Sequence, residues 1–197
     1  MVYLILALAV AQMPTHGEDG PLASSVIINE FMHTPQSSCT EIDGEWIELY
    51  NNTGDWINLQ GWRITNSYGQ EIVLGTYLLP PDGYCILAAC GDESLNGGIS
   101  PNYVYSGFEI HGSGTITLYS DTQGMVDQIQ YDSQWPLEPG KSCEKVNPGW
   151  LSNHYGSWET ATHIFGDGDL GTPGMKNSVY QNSFAQNSWA FIKAFVR

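Results

Sequence analysis

The chain has 197 residues, enough for one domain with a sizeable core and short extensions. Its 6 basic and 21 acidic residues give a formal net charge of −15 at pH 7. Because proteins bind nucleic acid largely through Lys and Arg side chains that neutralise phosphates, this balance argues against a nucleic-acid partner. An acidic surface is compatible with cations or basic partners, and it also keeps a secreted domain soluble.

The N-terminus carries the pattern of an export signal. Residues 2–11 form an apolar run too short to span a membrane, and Ala9-Val10-Ala11 matches an A-x-A cleavage site. No Lys or Arg precedes the run, so a buried first strand and an uncleaved anchor stay open as alternatives. We expect residues 1–11 to be a signal peptide and residues 12–24 a flexible lead-in. The mature chain, without a membrane span, is then secreted, periplasmic or on the cell surface.

The pattern of a half-buried strand is clearest at Gly44 to Asn51, which reads G-E-W-I-E-L-Y-N. Ile47 and Leu49 alternate with Trp46, Glu48 and Tyr50, which is the period of two expected of a strand with one side on a core. Turn formers bracket the stretch on both sides. We therefore expect a short strand between two tight connections.

Other short strands follow the same pattern, and no stretch between residues 25 and 177 has a helical period. The run at 84–89 is continuously apolar, as a strand at the centre of a sheet would be. Hairpins are expected at 66–69 and 120–124. The sequence predicts an all-β sandwich. The further strands are expected at 25–32, 57–62, 62–65, 71–74, 84–89, 103–105, 115–119, 126–131 and 141–146.

The order V-I-I-N-E, then G-E-W-I-E-L-Y-N, then N-L-Q-G-W resembles the lamin tail domain, a family that also occurs in secreted bacterial proteins. The resemblance runs to G-T-P-G-M-K-N at 171–177 and covers about residues 25–177. It implies an immunoglobulin-like β-sandwich of about 8–9 short antiparallel strands. It also implies a non-catalytic module for binding, adhesion or surface attachment, with a protein or cell-surface glycan partner. The segment Ser142 to Lys145 departs from the family pattern.

The C-terminal part of the chain lacks strand alternation. Residues 147–177 are expected to pack irregularly across the sandwich, with Trp150 and Trp158 as anchors because a large ring buries much area. Residues 178–197 lie outside the resemblance and form a C-terminal extension. This extension is either a short amphipathic helix, since its apolar residues have roughly helical spacing, or the truncated end of a longer reading frame.

Four cysteines, an even number, fit an oxidising compartment and predict two disulfides. Sequence leaves all three pairings open. Cys85 and Cys90 are an odd number of residues apart, so they face opposite sides of a regular strand and have different partners. The spacing does not match a structural zinc site. The disulfide candidates are Cys39, Cys85, Cys90 and Cys143.

Glu30 and Glu48 lie in two of the predicted strands. A carboxylate there is costly unless it is hydrogen-bonded or paired with a charge. We expect a structural role, in which each accepts backbone N–H groups or meets a cation such as Arg63 or Lys145. The alternative is a small carboxylate-dependent hydrolase in which the two acids converge on one site.

Asp167 and Asp169, with Asp-Gly-Asp spacing, could supply oxygen ligands to Ca²⁺, although a solvated acidic turn also fits them. No other cofactor is expected. Residues 166–171 match G-x-G-x-x-G, but the Thr-Pro that follows cannot open the helix that a dinucleotide site needs. The His-Gly-Ser-Gly at 111–114 is expected to be a turn between strands.

Aromatic residues cluster around the central strand. Exposed together, they would form a platform for sugar rings or for a protein hot spot, and a carbohydrate-binding β-sandwich is the second hypothesis for function. The alternative is that the rings pack in the core. Asn51 begins a formal glycosylation sequon. The platform candidates are Trp46, Tyr50, Trp56 and Trp62.

Overall fold

The computed structural model describes residues 24–38, 40–122 and 124–181. The expected signal peptide, most of the lead-in, Cys39 and residues 182–197 of the C-terminal extension lie outside these ranges. Within them the chain forms two main β-sheets that enclose an apolar core. The predicted all-β sandwich is confirmed.

The strands are numbered here in chain order. Strands β1 to β6 are Val26–Met32, Trp46–Asn51, Ile57–Asn58, Arg63–Asn66, Glu71–Val73 and Leu78–Leu79. Strands β7 to β12 are Tyr84–Ala88, Tyr103–Val104, Gly114–Tyr119, Met125–Tyr131, Cys143–Lys145 and Trp158–Thr160. Two short 3₁₀ helices occupy Ile42–Gly44 and Tyr155–Ser157.

The larger sheet has the strand order β12-β11-β1-β2-β7-β8, and the smaller has the order β10-β9-β4-β5. Strands β3 and β6 form a separate two-stranded ribbon. The described pairs are antiparallel except for β7 with β8, which is parallel. The twelve strands of the described residues outnumber the predicted 8–9, and β6 and β12, at two and three residues, are not among the expected ranges because they are too short to show alternation. The predicted hairpins are present between β4 and β5 and between β9 and β10.

The inner faces of the two sheets form the main core. Ile47 and Leu49 of β2 are fully buried there, as their alternation predicted. The ring of Phe31 lies 5.0 Å from that of Tyr131 and 5.9 Å from that of Trp158. Trp158 therefore anchors the C-terminal part of the chain, as expected, whereas Trp150 is only partly buried and borders a surface depression. Packing of these large rings between the sheets removes much apolar surface from water and so stabilises the fold.

A β-bulge at Asn29 interrupts strand β1. The pairing with β2 shifts between Ile28 and Glu30, so one residue of β1 has no direct partner. Ile28 and Phe31 face the core, whereas the side chains of Asn29 and Glu30 both bind groups on the opposite side of the sheet. The bulge thus places two adjacent polar residues on the outer face of the larger sheet.

That outer face is also covered. A second apolar cluster joins Trp46 of β2 to Met32, Ile86, Ala88 and Ile99, with Phe165 packed against it. The rings of Trp46 and Phe165 lie 6.0 Å apart, edge to face. The larger sheet is therefore buried on both sides, which explains why the run at 84–89 is continuously apolar. Strand β7 is an internal strand, as predicted, with β2 on one side and the short β8 on the other.

The described cysteines are not joined by disulfides: Cys85, Cys90 and Cys143 carry free thiols. Cys85 lies on β7 and Cys143 on β11, with β1 and β2 between them, so their Cα atoms are ~14 Å apart, too far for a disulfide. Both are core residues, and burial raises the pKa of the Cys85 thiol to about 12. The prediction of two disulfides finds no support among these three, because two of them serve as buried apolar side chains.

The segment that carries Phe165 approaches the rest of the chain closely at Gly166. Gly166 has φ +46°, and a Cβ there would overlap the carbonyl oxygen of Gly97. We expect Gly166→Ala to lower the free energy of unfolding by about 2 kcal/mol or more, from backbone strain and steric overlap. Gly54→Ala is the matched control, since nothing lies within 4 Å of its Cβ position. Urea unfolding tests this, and equal midpoints for the two variants would contradict it.

Candidate functional site

Three glutamates form a row across the outer face of the larger sheet. Glu30 of β1 pairs with Glu144 of β11 on one side and with Glu48 of β2 on the other. All three are fully buried. Like charges on neighbouring strands repel each other, so this arrangement needs either protons or many hydrogen-bond donors.

The donors come mostly from residues 172–179, an irregular segment with turns that we call the cover. Thr172 donates its N–H and its hydroxyl to Glu30, at 2.8 Å each, and its Oγ1 lies 2.9 Å from Glu144. The Gly174 N–H donates to Glu48 at 2.5 Å. Val179 donates its N–H to Glu144 at 3.0 Å. The carboxyl row thus holds the cover against the sheet.

Burial, together with the neighbouring Glu144, raises the pKa of the Glu30 carboxyl to about 8. Burial, together with Glu30, raises the pKa of Glu48 well above its ordinary value. Glu30 therefore holds a proton at neutral pH. Neither Arg63 nor Lys145 meets these acids, so the expected neutralisation by a cation is replaced by protonation and hydrogen bonding.

The predicted structural role of Glu30 and Glu48 matches these contacts. The hydrolase alternative does not fit them, because both carboxyl groups are sealed under the cover and a substrate cannot reach them. A further buried acid, Glu45, was not predicted. Its Oε2 accepts the Ile110 N–H at 2.9 Å, and burial raises its pKa to about 8.

A second buried polar network lies between the sheets. Lys145 Nζ donates to Ser152 Oγ at 2.8 Å, and Ser152 Oγ donates to Asp127 Oδ2 at 2.9 Å. Burial lowers the pKa of Lys145 to about 8, partly offset by Asp127. A serine beside such a lysine invites comparison with a nucleophile and its base. Here the Ser152 proton is already committed to Asp127, so the three groups form a closed structural network.

The two calcium candidates have different environments. Asp169 is buried, and its carboxylate accepts the N–H groups of Gln36 and Ser37 at 3.0 to 3.2 Å. Asp167 is exposed. In the part of the chain that the structure describes, no group of three or more His, Cys, Asp or Glu side chains is arranged to hold a metal ion. Asp169 therefore fixes the loop at residues 36–37 through these hydrogen bonds.

The predicted aromatic platform does not form on one surface. Trp46 is fully buried under Phe165, and Trp62 is a core residue. Trp56 is 65 % exposed, and Tyr50 is half-buried. The platform prediction is wrong because the outer face of β2 is covered at Trp46 and open only at Tyr50. The sequon is also inaccessible, since the buried Asn51 amide donates to the carbonyls of Asp55 and Pro80.

Where the cover ends, the outer face of the sheet opens into a pocket of about 300 Å³. We call it the tyrosine pocket. The rings of Tyr50 and Tyr84 lie side by side in it, 5.1 Å apart. The Lys176 ammonium lies 3.5 Å from the centre of the Tyr180 ring. Its lining residues are Asn29, Tyr50, Asn52, Tyr84, Lys145, Asn147, Pro148, Gly149, Lys176, Asn177 and Tyr180.

Burial raises the pKa of Tyr50 to about 12, and the hydroxyl donates to Asp82 at 3.0 Å. Burial likewise raises the pKa of Tyr84. Both phenols are therefore neutral at physiological pH. Rings, amides and one ammonium group give the tyrosine pocket a mostly polar wall with aromatic faces, at the small end of the range for ligand pockets.

The sequence analysis identified only Tyr50 among these pocket residues. Tyr84 lies on β7, whereas Lys176 and Tyr180 lie about ninety residues later, and the fold brings them together. Lys176 lies inside the G-T-P-G-M-K-N stretch, which carried the resemblance but no functional signal of its own. Only the sheet order and the path of the cover reveal that these residues meet.

A family model described as the Lamin Tail Domain matches residues 21–133, more than half of the chain. The chain belongs to the lamin tail domain family. No curated protein matches it. The matched span of this lamin tail domain ends before β11, β12 and the cover, yet these elements complete the larger sheet and close its outer face. Among the described residues, no helix has the length and apolar character needed to cross a membrane.

The buried row makes the stability of this lamin tail domain depend on pH. Because Glu30 has a pKa of about 8 in the folded state against an ordinary 4.5, the folded chain keeps a proton that the unfolded chain has lost. The stabilisation that this proton provides is complete below the pKa of Glu30 in the unfolded state, and it is lost as the pH rises through the pKa of Glu30 in the folded state. We expect the free energy of unfolding to fall between about pH 4.5 and about pH 8, by about 1.4 kcal/mol per pH unit for each such proton.

Glu30→Gln, which mimics the neutral carboxyl, should flatten this dependence in urea unfolding measured across that range. It should not abolish it, because Glu45 also has a raised pKa. Glu71→Gln, at an exposed acid paired with Arg63, is the control and should keep the wild-type slope. A slope that Glu30→Gln leaves unchanged would show that Glu30 is ionised in the folded protein.

Proposed function

We propose that the protein is a non-catalytic binding module, secreted or attached to a cell surface, that acts through the tyrosine pocket. The observation that carries this proposal is the meeting of three tyrosines and Lys176, which has no acidic partner among the described residues, at the open end of a sheet that is otherwise buried on both faces. The tyrosine pocket leaves polar surface exposed at this end of the sheet, and a partner can form contacts there.

The composition of the tyrosine pocket supports binding. Tyrosine offers a large contact area at low cost in conformational entropy, and asparagine offers adaptable hydrogen bonding. Tyr50 and Tyr84 are fixed on adjacent strands β2 and β7, in direct register. A ligand would therefore meet rings that are already ordered, which lowers the entropy lost on binding.

The positions of the buried acids and of Ser152 support a role without catalysis. Catalysis needs titratable groups that converge on a place where substrate can lie. Glu30 and Glu48 lie under the cover, and Ser152 lies in the closed network with Lys145 and Asp127. The family resemblance points the same way.

The proposal of export rests on the apolar run at residues 2–11 and the Ala9-Val10-Ala11 cleavage pattern. It agrees with the high acidic charge, which keeps an isolated module soluble. The partner is proposed to be a protein or a cell-surface glycan.

Arrays of glycans and of synthetic peptides, probed with the purified chain, test the binding role. We expect signals in one class, reduced about tenfold or more by Tyr180→Ala because truncation of an aromatic anchor removes much of its contact energy. Tyr155→Ala, at an exposed tyrosine outside the tyrosine pocket, should keep them. No signal on either array, or signals that Tyr180→Ala leaves intact, would contradict the proposal.

A further inference from the structure

The chemistry of the tyrosine pocket also points to the class of ligand. We propose that it takes a saccharide that carries a carboxylate, such as a uronic acid unit of a glycan. This inference rests on the proposed binding function and adds the ligand class to it. Three features of the pocket carry the inference: its free positive charge, its ring faces and its free amide.

The free charge is that of Lys176. The described ranges contain four basic side chains, and Lys176 is the exposed one that has no acidic partner or hydrogen bond there. The other three are engaged: Arg63 with Glu71 at 3.2 Å, Lys141 with Glu138 at 2.6 Å, and Lys145 with Ser152 at 2.8 Å. In a chain with 21 acids, an ammonium left without a carboxylate beside a pocket is available to a ligand carboxylate.

The ring faces suit a sugar. A pyranose presents C–H groups on its faces and hydroxyls around its rim, so it can lie against an aromatic ring while its hydroxyls reach polar side chains. Tyr50 and Tyr84, tilted by 39° at 5.1 Å, give two adjoining rings for such a contact, and the Lys176 ammonium lies over the ring of Tyr180 at 3.5 Å. A carboxylate on the sugar ring would then lie within reach of the ammonium.

The free amide is that of Asn52. An asparagine side chain can both donate and accept, which matches a hydroxyl that does the same. The Asn147 and Asn177 amides are held by Gln181 and Lys145 carbonyls at 3.0 and 2.8 Å, so they are fixed in place. Asn52 lines the same pocket, and its side chain makes no hydrogen bond to the described residues.

The net charge of −15 limits what kind of anion fits. The long-range field repels polyanions, but it is screened beyond about 8 Å at physiological ionic strength. A single carboxylate in direct contact with Lys176 forms a charge-assisted hydrogen bond, which outweighs its repulsion by the screened field of the distant acids. The small volume, about 300 Å³, fits a compact ring better than an extended acidic peptide.

Titration calorimetry with the full chain tests the ligand class. The probes are oligosaccharides that carry a single glucuronic, galacturonic or mannuronic acid unit, matched neutral hexose oligosaccharides, and a short oligoglutamate peptide. We expect one uronic series to bind about tenfold more tightly than its neutral match, because a charge-assisted hydrogen bond is lost in the neutral sugar. Lys176→Gln should remove this preference, and Lys176→Arg should retain it.

The outcomes separate the ligand class from the binding function. Equal binding of acidic and neutral sugars, lost in Tyr180→Ala, would overturn the carboxylate inference and keep the binding role. If oligoglutamate alone binds through Lys176, the inference that the ligand is a saccharide is overturned. If no probe on the calorimeter or on the arrays binds in a way that Tyr180→Ala weakens, both proposals fail.

Discussion

The structure depends on a buried row of carboxyl groups that needs donors. Glu144, Glu30 and Glu48 lie on adjacent strands in the middle of a sheet face, where apolar side chains would be expected. Burying one such carboxyl is costly, and burying three is possible only when protons and hydrogen bonds replace water. The residues from 172 to 179 provide those hydrogen bonds, so the row and the cover stabilise each other.

The same contacts assemble the candidate site. The cover is tied to the sheet at Thr172, at Gly174 and again at Val179. Lys176 lies between the last two ties, and Tyr180 follows directly. Their position beside Tyr50 and Tyr84 is therefore a consequence of where the carboxyl groups stand. The buried row of acids thus determines which side chains line the tyrosine pocket.

The strands could be predicted because their periodicity is local. Ile47 and Leu49 alternate with polar neighbours, and the turns on either side carry Gly and Asn, so the sandwich follows from short-range pattern. The two sides of β2 could not be told apart in the same way. Trp46 is buried because Phe165, far along the chain, covers it. The disulfide prediction failed at Cys85 for a similar reason, since cysteine count carries no information about strand order.

Amide hydrogen exchange shows whether the carboxyl row holds the cover in place. Thr172→Val keeps the shape of the side chain but removes the hydroxyl that Glu30 and Glu144 share. If the row holds the cover, exchange should become at least about tenfold faster at the amides of Gly174 and Val179, with the amide of Leu118 in the smaller sheet unchanged, because the cover opens locally. Unchanged protection at Gly174 and Val179 would show instead that other contacts hold the cover.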